Sequence, residues 1–244
     1  PRSEVFELPF LMTDPEGTSR ALWEFAQTHA KDDFRDVRVL ALHVHGPGVI
    51  HTRNRPVKSI DDLRGMKLRG PTRLTTKLLA SLGATPVGMP LPQVPDALSK
   101  GVIDGAALPW EVVPSVKVNE LARHHAEFDP KLPALYTATF LMAMNRAKYD
   151  SLPPDLRKVI DANSGIETSA WLGRTQSGND PKGRRTAEER GNTITRLGEA
   201  DYQAFRKAAD QVDDEWAREA KARGIDGQRL LDAARELVRR HGPK

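Results

Sequence analysis

Between residues 59 and 111 the apolar positions switch repeatedly between helical and strand spacing. Leu74, Leu78, Leu79 and Leu82 recur at helical intervals and predict a helix over 72–82, ended by Gly83. Short apolar runs at 66–69, 85–89 and 102–108 predict strands, and 93–100 predicts a second helix, ended by Gly101. Strands and helices alternating at this interval predict a parallel sheet with crossover helices. Ligands of such sheets collect at the carboxyl ends of the strands. Those ends carry Arg69, then Met89 to Pro92, then Leu108, Pro109, Trp110 and Glu111, so these residues are expected to face one crevice.

Outside this stretch the pattern is less regular. Residues 5–12 are apolar but contain Pro9, which predicts a lining loop and not a central strand. A turn is expected at 14–17. Thr18 is expected to cap a helix reaching residue 30, with Ala21, Leu22, Phe25 and Ala26 inward. Val37, Val39 and Ala41 alternate and open a strand over 37–44, broken at 46–48 and followed by a short strand at 49–52. Ser59 and Asp62 stand at capping-box spacing. After the central stretch we expect a short helix in 112–121, a polar loop over 122–133 and a strand over 135–144. A helical pattern starts near Ser151 and runs toward Arg190, with a kink or break at Pro181. A strand at 192–197 precedes helices over 200–222 and 225–240. The first of these carries Tyr202, Phe205, Ala209, Val212 and Trp216 on one face. There is no internal repeat and no low-complexity segment.

Composition narrows the class. At 244 residues, 39% hydrophobic and 29% charged, the chain can bury the core of one large or two modest domains. The net charge of +4 comes from scattered Lys and Arg, which argues against a nucleic-acid partner and suits capture of anions by long-range steering. Cysteine is absent, which is compatible with an oxidising compartment. No apolar run is long enough to span a membrane, and no signal peptide is visible.

Arg69 is the leading candidate for chemistry. Its guanidinium is a rigid fork that matches a carboxylate with two parallel hydrogen bonds, although an ion pair within the protein is an equally simple use. Trp110 offers a broad apolar wall and one N–H donor. Glu111 fits an anion site only if it accepts from a ligand hydroxyl or if a bound cation bridges it to the ligand. A core-capping Trp and a solvated Glu are the plainer alternatives. Phe10 and Leu8 could wall the pocket or pack the core, and Leu91 with Pro92 could shape the crevice or only stiffen a loop. His43 and His45 share a strand face but lack further metal ligands, and His124 with His125 falls in the expected loop. Enzyme signatures are missing: there is no GxGxxG after a strand, no GxxxxGK[ST], no GxSxG and no cysteine nucleophile.

The segments VFELPF, DDLRGMKLRGP, GATPVGMP, ALSKGVIDGAALPWE and FLMAMNRAKYDSLPPDLRKVI, in that order along the chain, resemble the extracytoplasmic solute-binding subunit of TRAP transporters, the DctP family. The resemblance covers nearly the whole chain. It implies a two-lobed α/β fold of the periplasmic-binding-protein type, with crossing strands and a long helix spanning both lobes. Lobe I would comprise 1–46 and 134–175, lobe II 47–133 and 176–244. It also implies that Arg69 in LRGP holds the carboxylate of a small organic acid, which a membrane permease then receives. Some relatives with Trp-Glu at 110–111 hold a metal, which would make Glu111 a tentative ligand to a bridging cation. Sialic-acid binders carry Asn where this chain has Leu108 and an additional Arg where it has Val49, so a smaller or more apolar acid is expected. By the same resemblance roughly a quarter of the family chain would lie upstream of Pro1, and the protein would be periplasmic. Two other readings stay open: an α/β enzyme using Glu111 as a base on a carboxylate substrate, and a sensor that presents its ligand to a partner.

Overall fold

In chain order the computed structural model, which describes residues 2–243, contains α1 (Pro15–Thr28), β1 (Val37–Val44), β2 (Gly48–Thr52), β3 (Lys67–Gly70), α2 (Arg73–Ser81), β4 (Thr85–Gly88), α3 (Val94–Ser99) and β5 (Gly105–Pro109). There follow α4 (Val118–Leu121), β6 (His124–Phe128), β7 (Thr139–Asn145), α5 (Arg146–Asp150), α6 (Pro154–Ala162), α7 (Ile166–Ser177), α8 (Asp180–Glu189), β8 (Thr193–Leu197), α9 (Glu199–Ala222) and α10 (Gly227–His241).

The larger sheet has the order β4-β3-β5-β2-β6-β8. The predicted unit is its left half: β3 lies parallel to both β4 and β5. Thr72 starts α2 by accepting the Thr75 N–H, and Leu74, Leu78 and Leu79 turn inward. Gly83 and Gly101 end the two crossover helices in the left-handed region, at φ 87° and 72°, where a side chain would be strained. The right half was not foreseen. β2 runs antiparallel to β5 and β6, and β6 pairs parallel with β8. Thus the sheet is mixed, and the expected loop over 122–133 holds a central strand instead. Its residues His124, His125 and Glu127 read as polar, but His125 is buried and bonded to another buried side chain, which hides the strand signal.

The second sheet is the antiparallel pair β1-β7, bulged between Val39 and Ala41. α1 and α7 cover it, and α10 packs on α1. A core of Phe6, Leu22, Phe25, Leu42, Trp216, Leu231 and Ala234 fills this region. α1 begins earlier than expected. Asp14 accepts the Gly17 N–H at 2.6 Å and Pro15 occupies the first turn, so residues 14–17 start the helix and Thr18 lies inside it.

The helical pattern after Ser151 is broken twice. The first break, at Asn163–Gly165, was not anticipated, and Gly165 has φ 107°. The second falls at Gly178 and Asn179, just ahead of Pro181, which sits in the first turn of α8 where its missing N–H costs nothing. α7 packs on α1 and β1, whereas α8 packs on the short turn Trp110–Val112. This kinked helical run therefore touches both lobes. Two segments cross between the lobes side by side: Gly48 N–H donates to Tyr136 C=O at 3.0 Å, and the Thr137 hydroxyl donates to His45 C=O at 3.0 Å. No helix among the described residues is long and apolar enough to cross a membrane.

Candidate binding site

Arg69 lies near the end of β3, opposite Ala106 of β5. It is only 5% exposed. Its Nε donates to Met89 C=O at 3.0 Å and its Nη1 to Ala107 C=O at 3.2 Å. One carbonyl directly follows β4 and the other lies in the middle of β5, so the two neighbouring strands aim the guanidinium. The fork has five N–H donors and no acceptor, and the two carbonyls leave part of it uncommitted. No carboxylate pairs with it among the described residues; Tyr136 is the group whose charge it senses. Burial lowers its proton affinity, yet an Arg remains charged in water-exposed and buried settings alike. A buried cation without a counter-charge is costly unless something anionic joins it.

Two neighbours of Arg69 come from the crossing segments and escaped the sequence reading. Tyr136 is 2% exposed, and its hydroxyl has no hydrogen-bond partner. Burial raises its pKa, and the positive charge of Arg69 pulls it partly back. The ring lies on Gly48, where any Cβ would overlap it. Gly48 in turn is the register partner of Pro109, so Tyr136 stands over the carboxyl end of β5. His45 packs edge-on to Tyr136 at 5.5 Å. Its Nδ1–H donates to Gly46 C=O at 2.5 Å and its Nε2 accepts the Ala138 N–H at 3.1 Å. Both nitrogens are thus used by the neutral ring, and burial followed by the charges of His43 and Arg69 lowers its pKa to about 4. Glu7, also buried, accepts from the Thr139 N–H at 3.0 Å and the Thr139 hydroxyl at 2.8 Å. Burial raises its pKa, and hydrogen bonds from Thr139 and Thr72 oppose that rise. Glu7 thereby ties the N-terminal segment to β7 and to the cap of α2.

The remaining candidates have other company. Trp110 is buried, and its Nε1–H is taken by Glu127 Oε2 at 2.7 Å, so the free donor expected from the sequence is already committed. Glu127 also receives Arg184 Nε at 3.0 Å. Together with Val49, Phe128, Leu135 and Asp180 these residues line a cleft of about 210 Å³, and Arg69 is not among its lining. Glu111, like Arg69, is outside the lining of this cleft. Glu111 turns toward the helical run: its Oε1 accepts from Gln176 Nε2 at 2.7 Å, and its N–H donates to Asp180 Oδ1 at 2.9 Å. Burial, together with the charge of Glu111, pushes Asp180 up to about 7. Glu111 and Asp180 supply two carboxylates, and the described residues contain no group of three His, Cys, Asp or Glu that could hold a metal. Leu108 is buried beside its register partner Val49, and Leu91 packs against the same cluster. Phe10, at φ 58°, stacks edge-on to Tyr202 at 5.0 Å and Phe128 at 5.8 Å, within the core.

Behind the Trp110 turn lies a polar chain that no spacing revealed. His51 Nε2 approaches Leu108 C=O at 3.1 Å and must donate to it; His51 Nδ1 then accepts from His125 Nδ1 at 2.7 Å, and His125 Nε2 accepts from Asn192 at 3.0 Å. Both rings are neutral. Burial lowers His125 to about 4 and His51 well below the usual range. The signal was one His on each of two strands, which becomes readable only once β2 and β6 are known to pair, with His51 opposite His125.

Comparison with known proteins follows this geometry. The profile described as "Bacterial extracellular solute-binding protein, family 7" (DctP) matches residues 1–219. A TRAP solute-binding protein from Rhodoferax ferrireducens T118, solved with copurified benzoate, is 59% identical and has a TM-score of 0.97. The match covers 99% of this chain and 75% of that one. A marine-metagenome TRAP solute-binding protein specific for aromatic acid ligands, solved with 3-hydroxybenzoate, is 44% identical with a TM-score of 0.97, covering 100% and 76%. The C4-dicarboxylate-binding periplasmic protein DctP of Rhodobacter capsulatus is 26% identical over 91% of this chain and 66% of its own length. The chain thus spans between two thirds and about three quarters of these relatives.

Proposed function

Because this chain belongs to the DctP family of bacterial extracellular solute-binding proteins, we propose that it captures an aromatic carboxylic acid outside the cytoplasm and delivers it to the membrane permease of a TRAP transporter. The observation that carries this reading is Arg69: a buried guanidinium, aimed by the carbonyls of Met89 and Ala107 and lacking a carboxylate partner among the described residues. A ligand carboxylate supplies the missing counter-charge through charge-assisted hydrogen bonds. Leu108 and Val49 make the neighbouring sheet face apolar, which suits an aromatic ring better than a polyol or a second carboxylate. The benzoate and 3-hydroxybenzoate found with the two structural relatives support the same class.

In this account the acid docks on Arg69 in an open form, water leaves, and the lobes close about the paired crossing segments. The lobe division at 1–46 with 134–175 and 47–133 with 176–244 belongs to the proposal. No bond is made or broken.

Native mass spectrometry of the purified protein, followed by thermal-shift assays with benzoate, 3-hydroxybenzoate, mandelate and succinate, tests this reading. A copurified aromatic acid, or stabilisation by the aromatic acids and not by succinate, is the expected result. Stabilisation by succinate alone, or turnover of a bound acid, contradicts it.

A further inference from the structure

Tyr136 presents a polar atom with no explanation inside the protein. Its hydroxyl is buried and bonded to nothing, although a buried donor left unpaired costs as much as a lost hydrogen bond. The neighbours that might have satisfied it are already spoken for: both ring nitrogens of His45 are used, one by Gly46 C=O and the other by the Ala138 N–H. Nor is the residue placed there only as filler. Its ring is seated on Gly48, at the carboxyl end of β5, and the glycine leaves room for nothing else. Arg69 reaches the same strand two residues earlier, through Ala107 C=O, and the two groups are close enough for each to shift the other's ionisation. A cationic fork with uncommitted donors and a phenol whose hydroxyl has no partner among the described residues therefore both stand against the second half of β5.

We infer that the Tyr136 hydroxyl is a second hydrogen-bond donor to the carboxylate that Arg69 binds, so that the acid's two oxygens are shared between a guanidinium and a phenol. This rests on the proposed role of Arg69. Burial keeps the phenol protonated, hence a donor, throughout the neutral range. A phenol donates in one direction, so it fixes the plane of the carboxylate and with it the direction in which the aromatic ring leaves the site. It also selects against neutral isosteres such as an amide, which offers only one acceptor oxygen.

The test is calorimetric titration of benzoate into the intact chain and into Tyr136→Phe, with the melting temperature of each unliganded protein. Hydrogen bonds to charged groups set the scale, so Y136F should weaken benzoate binding by about 10- to 100-fold. The unliganded variant should melt no lower than the parent, because it loses only an unpaired group. Equal affinity for benzoate in both proteins overturns the inference and leaves the function standing; no benzoate binding by the intact chain sinks the function and the inference together. A second measurement needs no variant. Benzoate should bring a slowly exchanging tyrosine hydroxyl proton into the NMR spectrum of the intact chain, and a spectrum unchanged under saturating benzoate counts against the assignment.

Discussion

Arg69 is buried beside the end of β4 and the middle of β5, and half-buried Asp180 accepts the Glu111 N–H. Arg69 was singled out because it ends a predicted parallel strand and stands in the LRGP segment of the family resemblance. The aim of its fork was not readable, since that depends on carbonyls from two other strands. Tyr136 and Glu7 were hidden because their positions depend on how the crossing segments pack, and no local pattern encodes that. Asp180 was invisible for the same reason: it looks like a helix-start carboxylate, and only the fold places it against the Glu111 backbone and side chain. Its pKa is raised from 3.8 to about 7, so the folded protein holds this proton more tightly than the unfolded chain. Ionised Asp180 therefore costs stability above pH 7, and the cost fades as pH falls from 7 toward 4. Asp180→Asn, which keeps an oxygen for the Glu111 N–H, should raise the melting temperature at pH 8 by a few degrees and give a shrinking advantage toward pH 4. Equal melting temperatures at pH 8 would show that the carboxylate is not strained there.

At the scale of elements, the crossover unit from β3 to β5 was legible because each piece carries its own period and its own glycine stop. The strand β6 was not, because His125 and Glu127 carry polar atoms satisfied by residues distant in the chain, His51 and Asn192 for the first and Trp110 and Arg184 for the second. The kinked run α7–α8 was half legible: Pro181 announced a break, but the seating of the two halves was not encoded in any periodicity. Each half is fitted through a glycine. A Cβ on Gly173 would overlap the Ser19 hydroxyl and press on Pro15 C=O of α1, and one on Gly183 would overlap Trp110 C=O. Backbone atoms cannot yield as a flexible side chain can, so overpacking of about 1–3 kcal/mol is expected at each position. Gly173→Ala and Gly183→Ala should each lower the melting temperature by roughly 3–10 °C in calorimetry. Gly183→Ala should also disturb the Trp110 fluorescence environment, whereas Gly173→Ala should leave it alone. Tolerance of both substitutions would mean that the helical run is not held as described.

For the whole molecule, the two-lobed plan follows from two sheets joined by adjacent crossing segments and bridged by one kinked helical run. Family resemblance suggested that plan before the coordinates did, and physical patterning alone gave only the α/β character. The net charge of +4 acts at this scale. Steering of an anion should make the association rate for benzoate fall several-fold between low and physiological salt in stopped-flow experiments, with dissociation little changed. A salt-independent association rate would remove long-range charge from the account. The most direct test of the central claim compares benzoate titration of the intact chain with that of Arg69→Met, each checked for native circular dichroism. Breaking a buried charge pair typically costs 2–5 kcal/mol, so the account predicts saturable binding by the intact chain and a loss of roughly 100-fold or more in a folded R69M. A folded R69M that binds benzoate as tightly as the parent would contradict it.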